Sequence, residues 1–245
     1  MAMVPSAVLW LLPSSLTEYA ERLCAPVEYI AKILPMLLNG TKLTIGLWCV
    51  TMLFAMPLGF LVSSCVRSKV KPLAWLMEVY IYIMRGTPLM LQLMFVYYGL
   101  PYIPKLGPYL TMGRFTAASV AFVLNYAAYF AEIFRGGFLA VPKGQYEACQ
   151  VLGMNKLQAM TRVIVPQMFR VALPSITNET ITLVKDTALA YVIALAELMH
   201  AAKAVVSRDV TPLAYVVAGA IYLVLVFLMT LVFKKLEERY KLQEK

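Results

Sequence analysis

The chain has 245 residues, of which 61% are hydrophobic and 14% charged, with a formal charge of +9. A mean hydropathy of +0.74 excludes a water-soluble globular domain and points to a polytopic membrane protein. The basic residues fall in short clusters between apolar blocks, not along one continuous face, which argues against a nucleic-acid surface and for membrane topology.

The apolar blocks are about 20 residues or longer and lack the alternating ten-residue segments of an outer-membrane barrel. The expected fold is therefore all-α, with about five transmembrane helices. The opening "MAMVPSAVLWLLPSS" is apolar but has no positive n-region and no clean small-residue cleavage site, which argues against a cleaved signal peptide. "SSLTEYAERLCAPVEYIAKIL" follows, charged and helix-compatible, with Pro26 as an expected break. Residues 1–32 are thus expected to form an extracytoplasmic or interfacial segment. The first span is expected over Leu43–Val66, starting as early as Ile33, with a kink at Pro57.

A second apolar helix is expected from Pro72 to Met84. "RGTP" interrupts it before "LMLQLMFVYYGL", making a broken element whose two halves together are long enough to cross. A third span is expected over Phe115–Phe134, and a polar, basic interlude fills Arg135–Leu173. The fourth, Pro174–Leu195, contains Asn178, Glu179, Lys185 and Asp186. "ELMHAAKAVVSRDVTP" reads as a loop, Leu213–Phe233 as a uniformly apolar fifth span, and residues 234–245 as a solvated cytoplasmic tail.

Charge sets the orientation. The loop after the first span carries Arg67, Lys69 and Lys71; the interlude carries Arg135, Lys143, Lys156, Arg162 and Arg170; the tail carries five more basic residues. The two intervening loops carry only Lys105, Arg114, Lys203 and Arg208. The basic set belongs in the cytoplasm, giving an outside N-terminus and an inside C-terminus.

Cys24, Cys49, Cys65 and Cys149 have no metal-ligand spacing, and His200 is the only histidine, so no metal site is expected and the cysteines read as small hydrophobes. The sequence contains no GxxxxGK[ST] loop, no nucleophile elbow and no HExxH. The chain is therefore expected to be no enzyme and to hold no cofactor of its own. Any ATP it depends on would be hydrolysed by another polypeptide.

Within the interlude, Lys143–Leu152 reads as one helix, Gly153 as a turn, and Asn155–Val163 as a second short helix limited by Pro166. Leu157, Met160 and Ile164 approximate one apolar stripe, leaving Lys156, Gln158 and Arg162 for water or a partner. Such a helix-turn-helix fits a groove on another protein. The plain alternative is an amphipathic loop helix that covers the bundle.

The charged residues inside the spans suggest a pathway or gate. Lys185 and Asp186 lie about ten residues from either end of the fourth span, where charges face a cavity or a partner. They point about 100° apart, so at most one lines a pathway while the other pairs with Glu179 or a neighbouring span. Arg85, at the break, is positioned to meet a solute carboxylate or Glu132. Asn125 and Tyr129 are four apart on one helical face and are expected to line the same path.

"EACQVLGMNKLQAMTRVIVP" resembles the cytoplasmic signature of importer permeases in the ABC transporter superfamily: Glu-Ala-Ala, three residues, Gly, nine residues, Ile, one residue, Leu-Pro. Glu147, Ala148, Gly153 and Pro166 match in register, while Cys149, Val163 and Val165 depart conservatively. "YIYIMRGTPLMLQLMFVYYGLP", "NYAAYFAEIFRGG", "VPKGQYEA" and "TLVKDTALA" are similar to the polar-amino-acid uptake permeases, those for histidine, glutamine, glutamate, arginine or cystine. The resemblance spans about Leu34–Glu238.

It implies a multi-pass subunit of the bacterial inner membrane, its transmembrane domain over residues 33–233, that forms the pathway for ATP-driven amino-acid uptake. The implied partners are a second permease, identical or not, two cytosolic ATPase subunits that bind ATP and Mg, and an extracytoplasmic binding protein that delivers the solute. It assigns Glu147, Ala148, Gly153, Lys156, Arg162 and Pro166 to a segment, about 135–173, that couples to the ATPases. The competing expectation is an ion-coupled carrier or channel without ATPase subunits. Such carriers pair broken segments in two inverted halves, whereas the sequence displays one clear break and an odd number of spans.

Overall fold

The computed structural model describes residues 14–240, with side chains from residue 27 onward. The apolar opening and the last five residues of the tail lie outside the described residues. Ten α-helices follow in order: α1 Ser14–Val66, α2 Lys71–Gly86, α3 Leu89–Met94, α4 Gly107–Leu110, α5 Arg114–Ala140, α6 Lys143–Val151, α7 Lys156–Ala159, α8 Val165–Asp186, α9 Leu198–Asp209 and α10 Leu213–Tyr240.

The helix α5 is the axis of the bundle. Phe122, Tyr126, Phe130 and Phe134 recur every fourth residue and are all fully buried, while Ala118, Ala121, Ala127, Ala128 and Ala131 let neighbouring backbones come close. α1 takes most of that contact. At Gly59 an added Cβ would stand 2.7 Å from Phe130 Cβ and 2.8 Å from the Ala127 carbonyl, so the two helices touch almost backbone to backbone. Phe169 of α8 completes an aromatic cluster, 5.4 Å from the Phe134 ring and stacked at 6.1 Å on Phe60. A second core joins α1, α9 and α10 through Ile33, Leu37, Leu198, Ala202, Val205, Ala214 and Ala218.

Three helices are long and apolar enough to cross a membrane, within Val27–Val66, Arg114–Ala140 and Leu213–Tyr240, or up to five spans exist if each of two bent pairs counts as one. α10 keeps only Ala214 and Ala218 buried and turns Leu223, Phe227 and Val232 outward.

Several boundaries differ from those expected. α1 passes through Pro26 without the expected break, so residues 14–32 run directly on into the first span. A proline forfeits only one ladder bond, and apolar helices tolerate the loss. The segment Val27–Val66 has 40 residues, about 60 Å at 1.5 Å per residue and twice the hydrocarbon thickness, so much of it projects beyond the membrane. The broken second element does not run straight on: its halves meet at 105°. α5 continues past Arg135 to Ala140, which shortens the interlude, and α10 continues into the expected solvated tail.

Pro166 does not stop the second interlude helix either. One π-helical turn over Met160–Ile164 leads into α8, with Pro166 in its first turn, where a missing N–H costs least. A 3₁₀ stretch, Thr187–Ile193, then extends the helical run begun at Lys156.

The expected loop after the fourth span is helix α9, set at 53° to what precedes it. Ala194 adopts the left-handed conformation (φ 54°) and turns the chain there. Glu197, wholly buried, then caps α9: its carboxylate accepts the amides of Met199 and His200, both at 2.7 Å, and the Tyr222 hydroxyl at 3.0 Å. Thr44 of α1 accepts the Leu198 amide at 3.2 Å. A sequence scan for Ser, Thr, Asp or Asn caps overlooks this one because a glutamate does the work.

Candidate functional site

The break between α2 and α3 begins with Pro88. The carbonyl of Met84 would ordinarily accept the amide of residue 88, and proline has none to give. Two side chains replace it: Asn125 Nδ2 donates to Met84 O at 3.0 Å and Gln92 Nε2 donates to the same oxygen at 2.9 Å. Asn125 also donates to Gln92 Oε1 at 3.0 Å, and Gln92 Nε2 lies 2.7 Å from Thr87 Oγ1. A 105° bend is thereby fixed against α5. Asn125 borders a cavity, but it is buried and its amide is committed to the bend. Gln92 escaped the sequence reading, although a glutamine four residues beyond the proline was the available signal.

Bent this way, the end of α2 opens onto a cavity of about 410 Å³ bounded by Arg85, Asn125, Tyr126, Tyr129, Glu179 and Asp186. A neighbouring cavity of about 390 Å³ shares Arg85, Tyr129 and Glu179 and adds Glu132 and Ser175. Arg85 also borders a third, about 500 Å³, with Glu78, Glu132 and Arg135.

Arg85 thus stands where all three meet. Its guanidinium is 3.6 Å from Glu132 Oε2, as anticipated, and 5.3 Å from the centre of the Tyr129 ring. Glu132 is held more tightly by Arg135, whose Nε and Nη2 donate at 3.0 and 2.6 Å, a forked pair one helical turn away that the sequence reading did not consider.

Lys185 and Asp186 part company. Asp186 ends α8, where the α-helix tightens into the 3₁₀ turn, and accepts the Tyr126 hydroxyl at 2.7 Å. Lys185 is exposed, borders none of the three cavities and forms no ion pair among the described residues. Neither is bonded to Glu179; Asp186 has instead the other expected kind of partner, a residue of a neighbouring span, Tyr126 of α5. Tyr126 borders the cavity together with Asn125 and Tyr129.

The interlude is built for a different purpose. α6 ends in a Schellman turn: the Met154 amide reaches the Cys149 carbonyl and the Gly153 amide the Gln150 carbonyl, both at 3.0 Å, with Gly153 at φ +66°. Asn155 then opens the next helix with a capping box, accepting the Gln158 amide at 2.9 Å while its own amide donates to Gln158 Oε1 at 3.0 Å. Gln158, expected to face water or a partner, is occupied by that cap.

Along the apolar stripe Ile164 is buried and Met160 half-buried, whereas Leu157 is 72% exposed, as are Val151 at 88% and Leu152 at 76%. Glu147, Ala148, Gly153, Lys156, Arg162 and Pro166 are all exposed. Buried Cys149 anchors α6 from beneath, and Arg67 lies 3.7 Å over the Phe138 ring where α5 enters the segment. Among the described residues no group of histidine, cysteine, aspartate or glutamate is arranged to hold a metal ion.

Residues 55–242 match the family model described as binding-protein-dependent transport system inner membrane component. The L-cystine transport system permease protein TcyB of Bacillus subtilis (strain 168) is 39% identical over 207 residues, 84% of this chain and 86% of that one. The arginine transport system permease protein ArtQ of the same organism is 39% identical over 211 residues, 85% of this chain and 94% of that one. A crystal structure of an amino acid ABC transporter with histidines superposes with a TM-score of 0.78 at 32% identity, covering 86% of this chain and 97% of that chain. The inward-facing MetNI methionine ABC transporter shares the fold alone, with a TM-score of 0.66 at 16% identity, 89% of this chain and 99% of that one.

Proposed function

Since the chain belongs to the binding-protein-dependent transport system inner membrane component family, as the multi-pass permease subunit of an ABC-type amino-acid importer of the bacterial inner membrane, we propose how its parts divide that work. The segment 135–173 faces the cytoplasm and docks on an ATPase subunit. The cavities around Arg85 belong to the solute path, the N-terminus lies outside, and the C-terminus lies inside. A second permease, identical or not, completes the pathway; two ATPase subunits bind ATP and Mg, and an extracytoplasmic binding protein delivers the solute.

The observation that carries this reading is the exposed trio Val151, Leu152 and Leu157 on a segment whose own caps are satisfied. Three large apolar side chains turned outward around one tight turn, with Glu147, Lys156 and Arg162 exposed beside them, form a surface with an apolar centre and a charged rim. The segment is also continuous with α5 on one side and with the helical run to Ile193 on the other, the elements that carry Tyr129, Glu132, Glu179 and Asp186. A displacement at the docking turn therefore reaches the cavity without crossing a flexible loop.

The solute is an amino acid. The cavity sets a guanidinium, Arg85, against the carboxylates of Glu179 and Asp186, matching a molecule that is anion and cation at once. The decisive experiment purifies the chain with its cognate subunits and measures uptake of an amino-acid panel in vesicles containing ATP and the binding protein. ATP-dependent uptake of at least one amino acid is expected. Uptake driven by an ion gradient in vesicles holding this chain alone would overturn the reading. The second bend, at residues 194–197, removes the count of breaks as an argument against a carrier, and family membership decides in its place.

The Tyr126–Asp186 bond gives a sharper expectation. Tyr126→Phe and Asp186→Asn should each slow transport by about tenfold, the worth of one hydrogen bond to a charged group, and the double variant should be no slower than the worse single one. Lys185→Met should stay within about twofold of the parent. Losses that multiply in the Tyr126–Asp186 double variant would show that the two act separately.

A further inference from the structure

The cavities around Arg85 are not the only ones. A groove of about 390 Å³ lies between α1, α8 and α10, lined by Met56, Phe169, Leu173, Ile176, Phe233 and Leu236, with Arg170 and Tyr240 as its polar members and Pro166 at its edge. Its volume is that of an ordinary small-molecule site. Phe169 is fixed from behind by Phe60 and Phe134, so the floor is rigid. Arg170 is exposed and forms no ion pair among the described residues, although α10 brings Glu237 and Glu238 to the same end of the bundle. Lys234, Lys235 and Arg239 stand on that same stretch of α10.

We propose that this groove binds an anionic phospholipid, one acyl chain lying against Leu173, Ile176 and Phe233 and the phosphate held at its mouth by Arg170 and the Tyr240 hydroxyl. A slot lined in this way has no affinity for water. It lies between α10, most of whose apolar side chains are turned outward, and the start of α8. An unpaired guanidinium offers two parallel donors, the arrangement that suits a phosphate, and the positive charge of Arg170, the one charged residue in the lining, favours net negative charge over a zwitterionic headgroup. Phe169 and Arg170 lie in the first turns of α8, at the end of the proposed docking segment, so an occupant would stiffen the junction between its turn and the solute path.

The proposal rests on the cytoplasmic placement of residues 135–173 only for the leaflet that supplies the lipid. Binding in detergent is independent of sidedness, so the two can fail separately. The test is native mass spectrometry of the assembled complex in mild detergent, titrated with dioleoyl phosphatidylglycerol or dioleoyl phosphatidylcholine. The parent complex should retain phosphatidylglycerol at least fivefold better. Arg170→Gln should bring the two lipids to within about twofold, and Leu173→Trp, which fills the slot, should lower retention of both while the subunits stay assembled. Equal retention of the two lipids by the parent, or an undiminished preference in Arg170→Gln, would overturn the proposal. So would a disulfide between two permease copies joined through Leu173→Cys, because it would show that protein covers the groove.

Discussion

Gly153→Val is expected to leave the helices assembled and to cut solute-stimulated ATP hydrolysis of the complex by about tenfold or more. At φ +66° a β-branched residue is a steric outlier, and the left-handed region costs about 1–2 kcal/mol even for an unbranched side chain. Nothing lies within 4 Å of the site where a Cβ would stand, so the substitution meets no neighbour and acts on the turn alone. What it disturbs is the angle between α6 and the next helix, hence the spacing of Val151 and Leu152 from Leu157. Gly153→Asn, which tolerates the left-handed conformation, should retain most of the coupling. The measurement is ATPase rate with and without loaded binding protein, normalised to assembled complex. Equal coupling in the valine and asparagine variants would show that the turn geometry has no part in it.

Glu132→Gln is expected to be the most damaging single change around the cavities. Glu132 is one carboxylate serving two guanidiniums, with short forked bonds to Arg135 and a longer contact to Arg85. Neutralising it strands both cations, whereas Arg85→Gln leaves Glu132 still held by Arg135. All three side chains are partly exposed, so the full cost of breaking a buried pair does not apply. A loss of about 2 kcal/mol, roughly thirtyfold, is the appropriate scale for hydrogen bonds to charged groups. The yield of assembled complex and uptake per complex should both fall further in Glu132→Gln than in Arg85→Gln. The reverse order would assign the principal role to Arg85 acting on solute.

What could be read from the sequence follows from which signals are local. The Gly153 turn, the helix over Lys143–Val151, the interruption at Gly86–Pro88 and the meeting of Arg85 with Glu132 depend on neighbouring residues or on one glycine and one proline, and they were legible. Proline proved an unreliable stop. Pro26 and Pro166 both lie within helical runs: α1 simply continues through Pro26, and at Pro166 a preceding π turn and a first-turn position absorb the missing donor. The helix α9 was missed because its cap is a buried glutamate satisfied partly by a residue 25 positions later, a contact that no local window contains. Leu157 belongs to an apolar stripe by periodicity alone. Periodicity identifies an apolar face but not whether the protein itself covers it, and here the face lies open. Lys185 and Asp186, adjacent in sequence, diverge as the 100° step between helical neighbours requires: the fold gives Asp186 to Tyr126 and leaves Lys185 outside, though which of the two turns inward is not a local signal.

The cap at Glu197 also bears on how the subunit is made. A ribosome delivers the chain from its N-terminus, so the Met199 and His200 amides become available to the carboxylate as soon as α9 coils, whereas the Tyr222 hydroxyl arrives only with the last span. Until α10 inserts, the wholly enclosed acid of the finished protein has one side open and lacks its third donor. A charge in that state is costly within a bilayer. A nascent chain released early, or one whose final helix fails to enter, therefore carries an exposed defect that the completed molecule lacks, and a single buried glutamate distinguishes an unfinished subunit from a finished one.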